Sequence, residues 1–230
     1  MPLTLFALRW REEAPAVVSS DAATAQAGTT AQPLEGGARL VAMMLFGTIV
    51  ALSAVVFGAM AVHLVPVLEA TGLAAASAVF LASLKGFAQV GGRIWDLVFA
   101  RNWHALDVGR VSIAFMPLSF LVLMLGGASL TTAFAFIVLF GISNGLVTII
   151  RGAVPLALFG PKGYGVVLGI LATPYLVLAA LSPAAFALIV ERWGYGVGEA
   201  VMFASAVLSL IGMEIMTIWY RRRERATAAA

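Results

Sequence analysis

The sequence predicts an all-α membrane protein with six transmembrane helices. Three observations carry that prediction: the composition, six long apolar runs, and the distribution of charge between them. Of 230 residues, 62% are hydrophobic and 11% charged, against about 45–50% and 25% in soluble domains, and the mean hydropathy is +1.01. That balance excludes a soluble globular fold and a disordered chain. It excludes a nucleic-acid binder too, because the net charge of +3 rests on only 14 basic residues, and the pI near 9.7 reflects scarcity of acids. The absence of cysteine removes disulfides, thiolate metal sites and a cysteine nucleophile. All the basic residues except Lys85 and Lys162 are arginine, a bias in keeping with a GC-rich bacterial genome.

Met1 to Leu8 lacks a basic start, and its apolar run ends at Arg9-Trp10-Arg11-Glu12-Glu13. It therefore reads as a helix stub and not as a signal peptide. Ala14 to Gly37 is rich in Ala, Thr, Ser, Gln and Gly, with Pro15 and Pro33, and has too little apolar surface to offset the entropy of ordering. Stub and flexible aqueous linker together occupy residues 1–38. The bundle, 39–220, divides into apolar runs at Arg39–Val65, Leu73–Phe99, Gly109–Leu125, Thr131–Ile150, Tyr164–Val190 and Val197–Tyr220. Each is long enough to span, with tilt for the longer ones. Residues 221–230 form a basic tail. None of the runs alternates with period two, which excludes a β-barrel.

The separators at Glu69–Gly72, Gly126–Ser129 and Glu191–Gly194 fall on one side of the membrane, and Arg101–Asp107 and Phe159–Gly163 on the other. The second side, with both termini, carries Arg9, Arg11, Arg39, Arg101, Arg110, Lys162 and Arg221-Arg222-Arg223-Glu224-Arg225, whereas the first carries Arg192 alone. Both termini are therefore expected to be cytoplasmic. The spans fall into two sets of three, divided at Gly126-Gly127. Three is odd, so the second set is inverted relative to the first, an arrangement used by many secondary transporters.

Gly92-Arg93-Ile94-Trp95-Asp96, followed by Arg101 and Arg110, resembles the Gly-x-x-x-Asp and basic-loop motif of the major facilitator superfamily. Leu97 stands where that motif normally has a basic residue. Gly141-Ile142-Ser143-Asn144-Gly145, Arg151-Gly152-Ala153-Val154-Pro155-Leu156, Phe159-Gly160 and Gly163-Tyr164-Gly165 resemble the tenth and eleventh helices of bacterial members. The resemblance covers Arg39 to Tyr220 and only the family's C-terminal six-helix half. It implies half of a facilitator-type transporter in the bacterial inner membrane, completed by a second copy or by a separate N-terminal half. It also implies that Gly92, Arg93, Asp96 and Arg101 belong to a cytoplasmic gate, and that the stub and linker correspond to the family's sixth helix and central loop.

Lys85 lies about 18 Å into its span at 1.5 Å per residue, near the midplane, where a charge costs about 2.5–3.5 kcal/mol and needs a partner or water. Gln89, Gly92 and Asp96 continue its helical face. Lys85 and Gln89 either line a solute path or pack within the bundle. Arg151 closes the fourth run as an anchor or as an anion-handling residue, with Asn144 two turns earlier. Tyr175 is the one aromatic placed away from the interfacial belt. Glu214 is a proton-coupling candidate if burial raises its pKa, or else a partner of Arg221. His63 has no assigned role.

Gly141 with Gly145, and Gly165 with Gly169, are small-x-x-x-small pairs suited to close helix approach. Metalloprotease, nucleophile-elbow and phosphate-loop motifs are missing, so no catalytic residue, metal or cofactor is expected. The expected partners are membrane lipid and a small solute, an organic anion or zwitterion given the excess of Lys85, Arg93 and Arg151 over Asp96 and Glu214. A six-span membrane enzyme and a transport-inactive truncated bundle are the competing readings.

Overall fold

A computed structural model describes residues 33–228, and among them there are six helices and no strand. The predicted stub and most of the predicted linker lie outside the described residues. The helices are α1 (Gly36–Ala70), α2 (Ala75–Phe99), α3 (Ala105–Gly126), α4 (Leu130–Phe159), α5 (Tyr164–Trp193) and α6 (Tyr195–Ala228). Helix α6 runs through the basic stretch after Tyr220 without a break. Five of the six are long and apolar enough to cross a membrane, and α2 is the exception. Its 25 residues reach about 37 Å at 1.5 Å per residue, so length is not the limit. Lys85, Gln89, Arg93 and Asp96 hold down its apolarity.

Local chemistry sets the helix ends. Ser129 caps α4 by accepting from the Thr132 N–H at 3.1 Å, and Thr132 Oγ1 donates to the Gly126 carbonyl, also at 3.1 Å, closing the α3–α4 turn. Helix α4 ends at Gly160, whose φ of +70° lies in the left-handed region that glycine enters without a Cβ penalty. At the start of α1 the Leu34 N–H donates to the Leu158 carbonyl of α4 at 2.9 Å. Near the end of α6, Arg221 reaches Asp107 of α3. The starts of α1 and α3 and the ends of α4 and α6 therefore meet at one basic end of the bundle.

Helix α1 packs on α5 and α6, α4 packs on α2 and α3, and α3 packs on α6. Helices α2 and α5 lie at the flanks, each held chiefly by one neighbour. Glycines allow backbone to approach backbone on two of these seams. A Cβ at Gly141 would sit 2.5 Å from Ala88 Cβ and 2.9 Å from the Lys85 carbonyl oxygen, and one at Gly145 would strike the Gln89 carbonyl. Gly58 of α1 is pressed in the same way against Ala179 and Ser182 of α5. Gly165 and Gly169, the other predicted packing pair, have open space where a Cβ would be.

The core is aromatic and closely packed. Phe140 lies 5.4 Å from Phe57, 6.0 Å from Phe120 and 5.5 Å from Phe136, ring centre to ring centre, joining α1, α3 and α4. Buried hydroxyls bridge helices: Ser53 and Ser209 are 3.0 Å apart, and Ser143 donates to the Ser112 carbonyl at 2.7 Å. Such bonds average about 0.6 kcal/mol between membrane helices, so they fix register while packing supplies most of the cohesion. Pro183 has no N–H to offer the Ala179 carbonyl, and Ser182 Oγ donates to that oxygen at 3.1 Å instead. His63 is engaged as well, with Nε2 3.1 Å from the Pro183 carbonyl oxygen. Outward-facing Phe80, Phe87, Leu176 and Leu188 are apolar surface that hydrocarbon can cover without loss.

Candidate functional site

The candidate residues divide into three groups. The first lies on the α2–α4 seam. Lys85 is half-buried, and its Nζ stands 6.0 Å from the centre of the Phe140 ring, a cation–π distance. Gln89 and Asn144 are half-buried on the same pair of helices. Gly92 is buried against the Ile142 backbone, 2.9 Å from its carbonyl oxygen for an added Cβ. Asp96, one turn on, is 3% exposed. Arg101 is exposed in the turn after α2.

The second group surrounds a crevice of about 350 Å³ among α1, α4 and α5. Its walls are Phe46 and Val50 of α1, Thr148, Arg151 and Gly152 of α4, and Leu168, Leu171 and Ala172 of α5. The Arg151 guanidinium carbon lies 3.5 Å from the centre of the Tyr175 ring. The Tyr164 hydroxyl donates to the Gly152 carbonyl at 3.0 Å, tying α5 to α4 beside the crevice. Thr148, which sequence reading passed over, is the hinge between the first two groups. It lines the crevice, and its Oγ1 accepts from the Arg93 guanidinium at 3.2 Å. A hydroxyl at i−3 from an arginine, near the end of an apolar run, was the signal available for it.

The third group stands apart, on the α3–α6 pair. Glu214 accepts from Arg110 Nε at 2.7 Å, and Asp107 pairs with Arg221 at 2.5 Å and more loosely with Arg110 at 3.7 Å. Glu214 thus has Arg110 and not Arg221 as its partner, and it does not join the crevice. The four side chains are each about a third or more exposed, so the network contributes little net stability. It borders a second, open cavity of about 680 Å³ that also touches Trp103 and His104. Among the described residues no group of three or more His, Asp or Glu converges as a metal site requires.

His104 caps α3: its Nδ1 accepts from the Leu106 N–H at 3.2 Å, and its ring faces Tyr220 at 5.7 Å. Burial pushes its pKa below the ordinary 6.5, helped by Arg221 and opposed by Asp107 and Glu224. A histidine with a lowered native pKa contributes stability that is present above its unfolded pKa and is lost as pH falls through the folded value. The start of α3 should therefore fray as pH drops below about 6.5. Hydrogen exchange at the Leu106 and Asp107 amides, corrected for intrinsic rates, should show opening that grows with acidity. The growth should vanish in His104→Asn, which keeps a capping oxygen; equal pH dependence in both proteins would remove His104 as the cause.

No protein-family model, curated protein or solved structure matches the chain. Helix length and hydropathy define it as a multi-pass, all-helical membrane protein.

Proposed function

We propose that the chain is one half of a facilitator-type secondary transporter in the bacterial inner membrane, and not an enzyme. In this reading both termini are cytoplasmic. The solute is a small organic anion or zwitterion driven by a proton gradient, and a second copy or a separate N-terminal half completes the path. The observation that carries the reading is the position of α2. A helix bearing Lys85, Gln89 and Arg93 sits at the flank of the bundle, held chiefly by α4. Charges at membrane depth avoid hydrocarbon and face protein or water, and Lys85 and Arg93 turn toward Phe140 and Thr148 of α4, so the α2–α4 seam calls for an aqueous path or a second protein surface beside it.

The packing pattern gives further support. Exchanging α1 with α4, α2 with α5 and α3 with α6 turns the α1–α5 contact into α4–α2 and the α1–α6 contact into α4–α3, while α3–α6 maps on itself. Inverted three-helix repeats would produce that exchange. None of the three ion pairs among the described residues uses Lys85, Arg93 or Arg151, which favours a positive potential along α2 and α4. Gly92, Arg93, Asp96 and Arg101 would then steady the cytoplasmic mouth.

Reconstitution tests this. Proteoliposomes under a proton gradient should accumulate one of a panel of small carboxylates or zwitterions, and Lys85→Met should reduce the initial rate by about tenfold, the effect of one charge-assisted contact. Uptake indifferent to that substitution, or hydrolysis or transfer of lipid in place of uptake, would overturn the proposal. A particle strictly monomeric at every concentration would leave only the separate half as partner.

A further inference from the structure

We infer that the crevice among α1, α4 and α5 is a binding site for an amphipathic organic anion, one carboxylate or phosphate head on a compact apolar body, and that a single chain completes it. The inference rests on the transport reading for the ligand's fate. The binding itself is argued from the walls of the crevice.

Its volume of about 350 Å³ lies at the small end of the roughly 300–1,000 Å³ seen for ligand pockets. Phe46, Val50, Leu168 and Leu171 make most of the wall apolar, and Arg151 is the one charged residue lining it. That guanidinium is fixed by its stack on Tyr175. Stacking occupies a face of the group and leaves the N–H edge, which is the part that forms paired bonds to a carboxylate or phosphate. No ion pair among the described residues consumes that edge.

A second cation is bonded to a residue of the wall. Arg93 donates to the Thr148 hydroxyl of that wall, and Thr148 in turn donates a hydrogen bond to the Gly145 carbonyl at 2.6 Å. A guanidinium in a small, largely apolar space is stabilised by an anionic counter-charge, and Arg151 is the guanidinium that lines this one. The apolar wall rejects a fully hydrated inorganic ion, because nothing there replaces the water lost from its remaining faces. An apolar body joined to a single anionic head satisfies both requirements. Such a head reaches the crevice either on a soluble organic acid or on an anionic lipid.

The test is equilibrium binding to the full chain in nanodiscs of phosphatidylcholine, with 4-phenylbutyrate as the probe. One saturable site per chain is expected. Acetate, which lacks the body, and 4-phenylbutylamine, which reverses the charge, should bind far more weakly. Arg151→Gln should weaken 4-phenylbutyrate by about tenfold or more, the worth of a charge-assisted bond, and Arg151→Lys should fall between. In the unmodified chain, 4-phenylbutyrate and not the amine should slow phenylglyoxal labelling of Arg151, a readout that needs no variant to fold. Equal binding of the amine, affinity unchanged in Arg151→Gln, or labelling unaffected by the probe would each overturn the inference. Adding phosphatidylglycerol separates the sources: competition that Arg151→Gln abolishes assigns a lipid head, and binding that persists undiminished assigns a soluble acid. Binding without flux would leave the site standing and remove the transport reading.

Discussion

Gly145→Leu is expected to leave little folded protein in the membrane. Between lipid-covered helices there is no hydrophobic gain on association, so cohesion comes from van der Waals contact and close backbone approach. On the α2–α4 seam that approach depends on Gly92, Gly141 and Gly145, where a Cβ would meet the Ile142 carbonyl at 2.9 Å, Ala88 Cβ at 2.5 Å and the Gln89 carbonyl, respectively. At Gly145 the obstructing atom is backbone and has no rotamer to yield. Overpacking usually costs about 1–3 kcal/mol, and displacement of α2, which has α4 as its chief neighbour, belongs at or above the top of that range. Gly169→Leu is the control, since nothing lies within 4 Å of a Cβ there. Size-exclusion profiles and helical melting should be near normal for Gly169→Leu and severely reduced for Gly145→Leu; indistinguishable profiles would contradict the seam as described.

Phe140→Ala should produce the next largest loss. The ring is fully buried, contacts Phe57, Phe120 and Phe136, and lies beneath Lys85. In a membrane the dissociated helix keeps its phenyl ring in hydrocarbon, so the usual transfer contribution of a core phenylalanine largely disappears. What remains is the void: roughly 100 Å³ at about 24 cal/mol per Å³ gives about 2–3 kcal/mol. Loss of the cation–π contact adds about 0.5–2 kcal/mol. Unfolding in mixed detergent should show that deficit, with most of it restored in Phe140→Leu. A value within error of the unmodified chain would mean that the aromatic cluster contributes no cohesion.

Hydropathy located six helices, and for five of them a bilayer-spanning apolar length is present, whereas α2, expected as a span, is not apolar enough. It placed their ends less well: the fourth run was expected to close at Ile150, before Arg151, yet α4 continues to Phe159. Apolarity measures where hydrocarbon stops, whereas helix ends depend on where backbone N–H groups lose their partners, and Arg151 satisfies one condition without the other. Lys85 and Arg151 were legible as charges in or beside apolar runs. The stack of Arg151 on Tyr175 and the pairing of Glu214 with Arg110 were not, because each joins residues on different helices. Periodicity specifies a face and leaves its neighbour open. The two small-residue pairs show the same limit: one spacing fits Gly141 with Gly145 and Gly165 with Gly169, and only the first pair meets another helix.

The flank position of α2 also sets an order of assembly during synthesis. Lys85, Arg93 and Asp96 each penalise partition into hydrocarbon by about 2.5–3.5 kcal/mol at the centre of a span and less toward its ends, so the nascent Ala75–Phe99 segment is a reluctant entrant. Its chief packing neighbour is α4, which the ribosome makes two helices later. If α2 spans, it is expected to stay beside the translocon or in its aqueous channel while α3 emerges. Helices α1 and α3, each apolar enough to span unaided, have no such need, so the seating of α2 alone is expected to wait for α4.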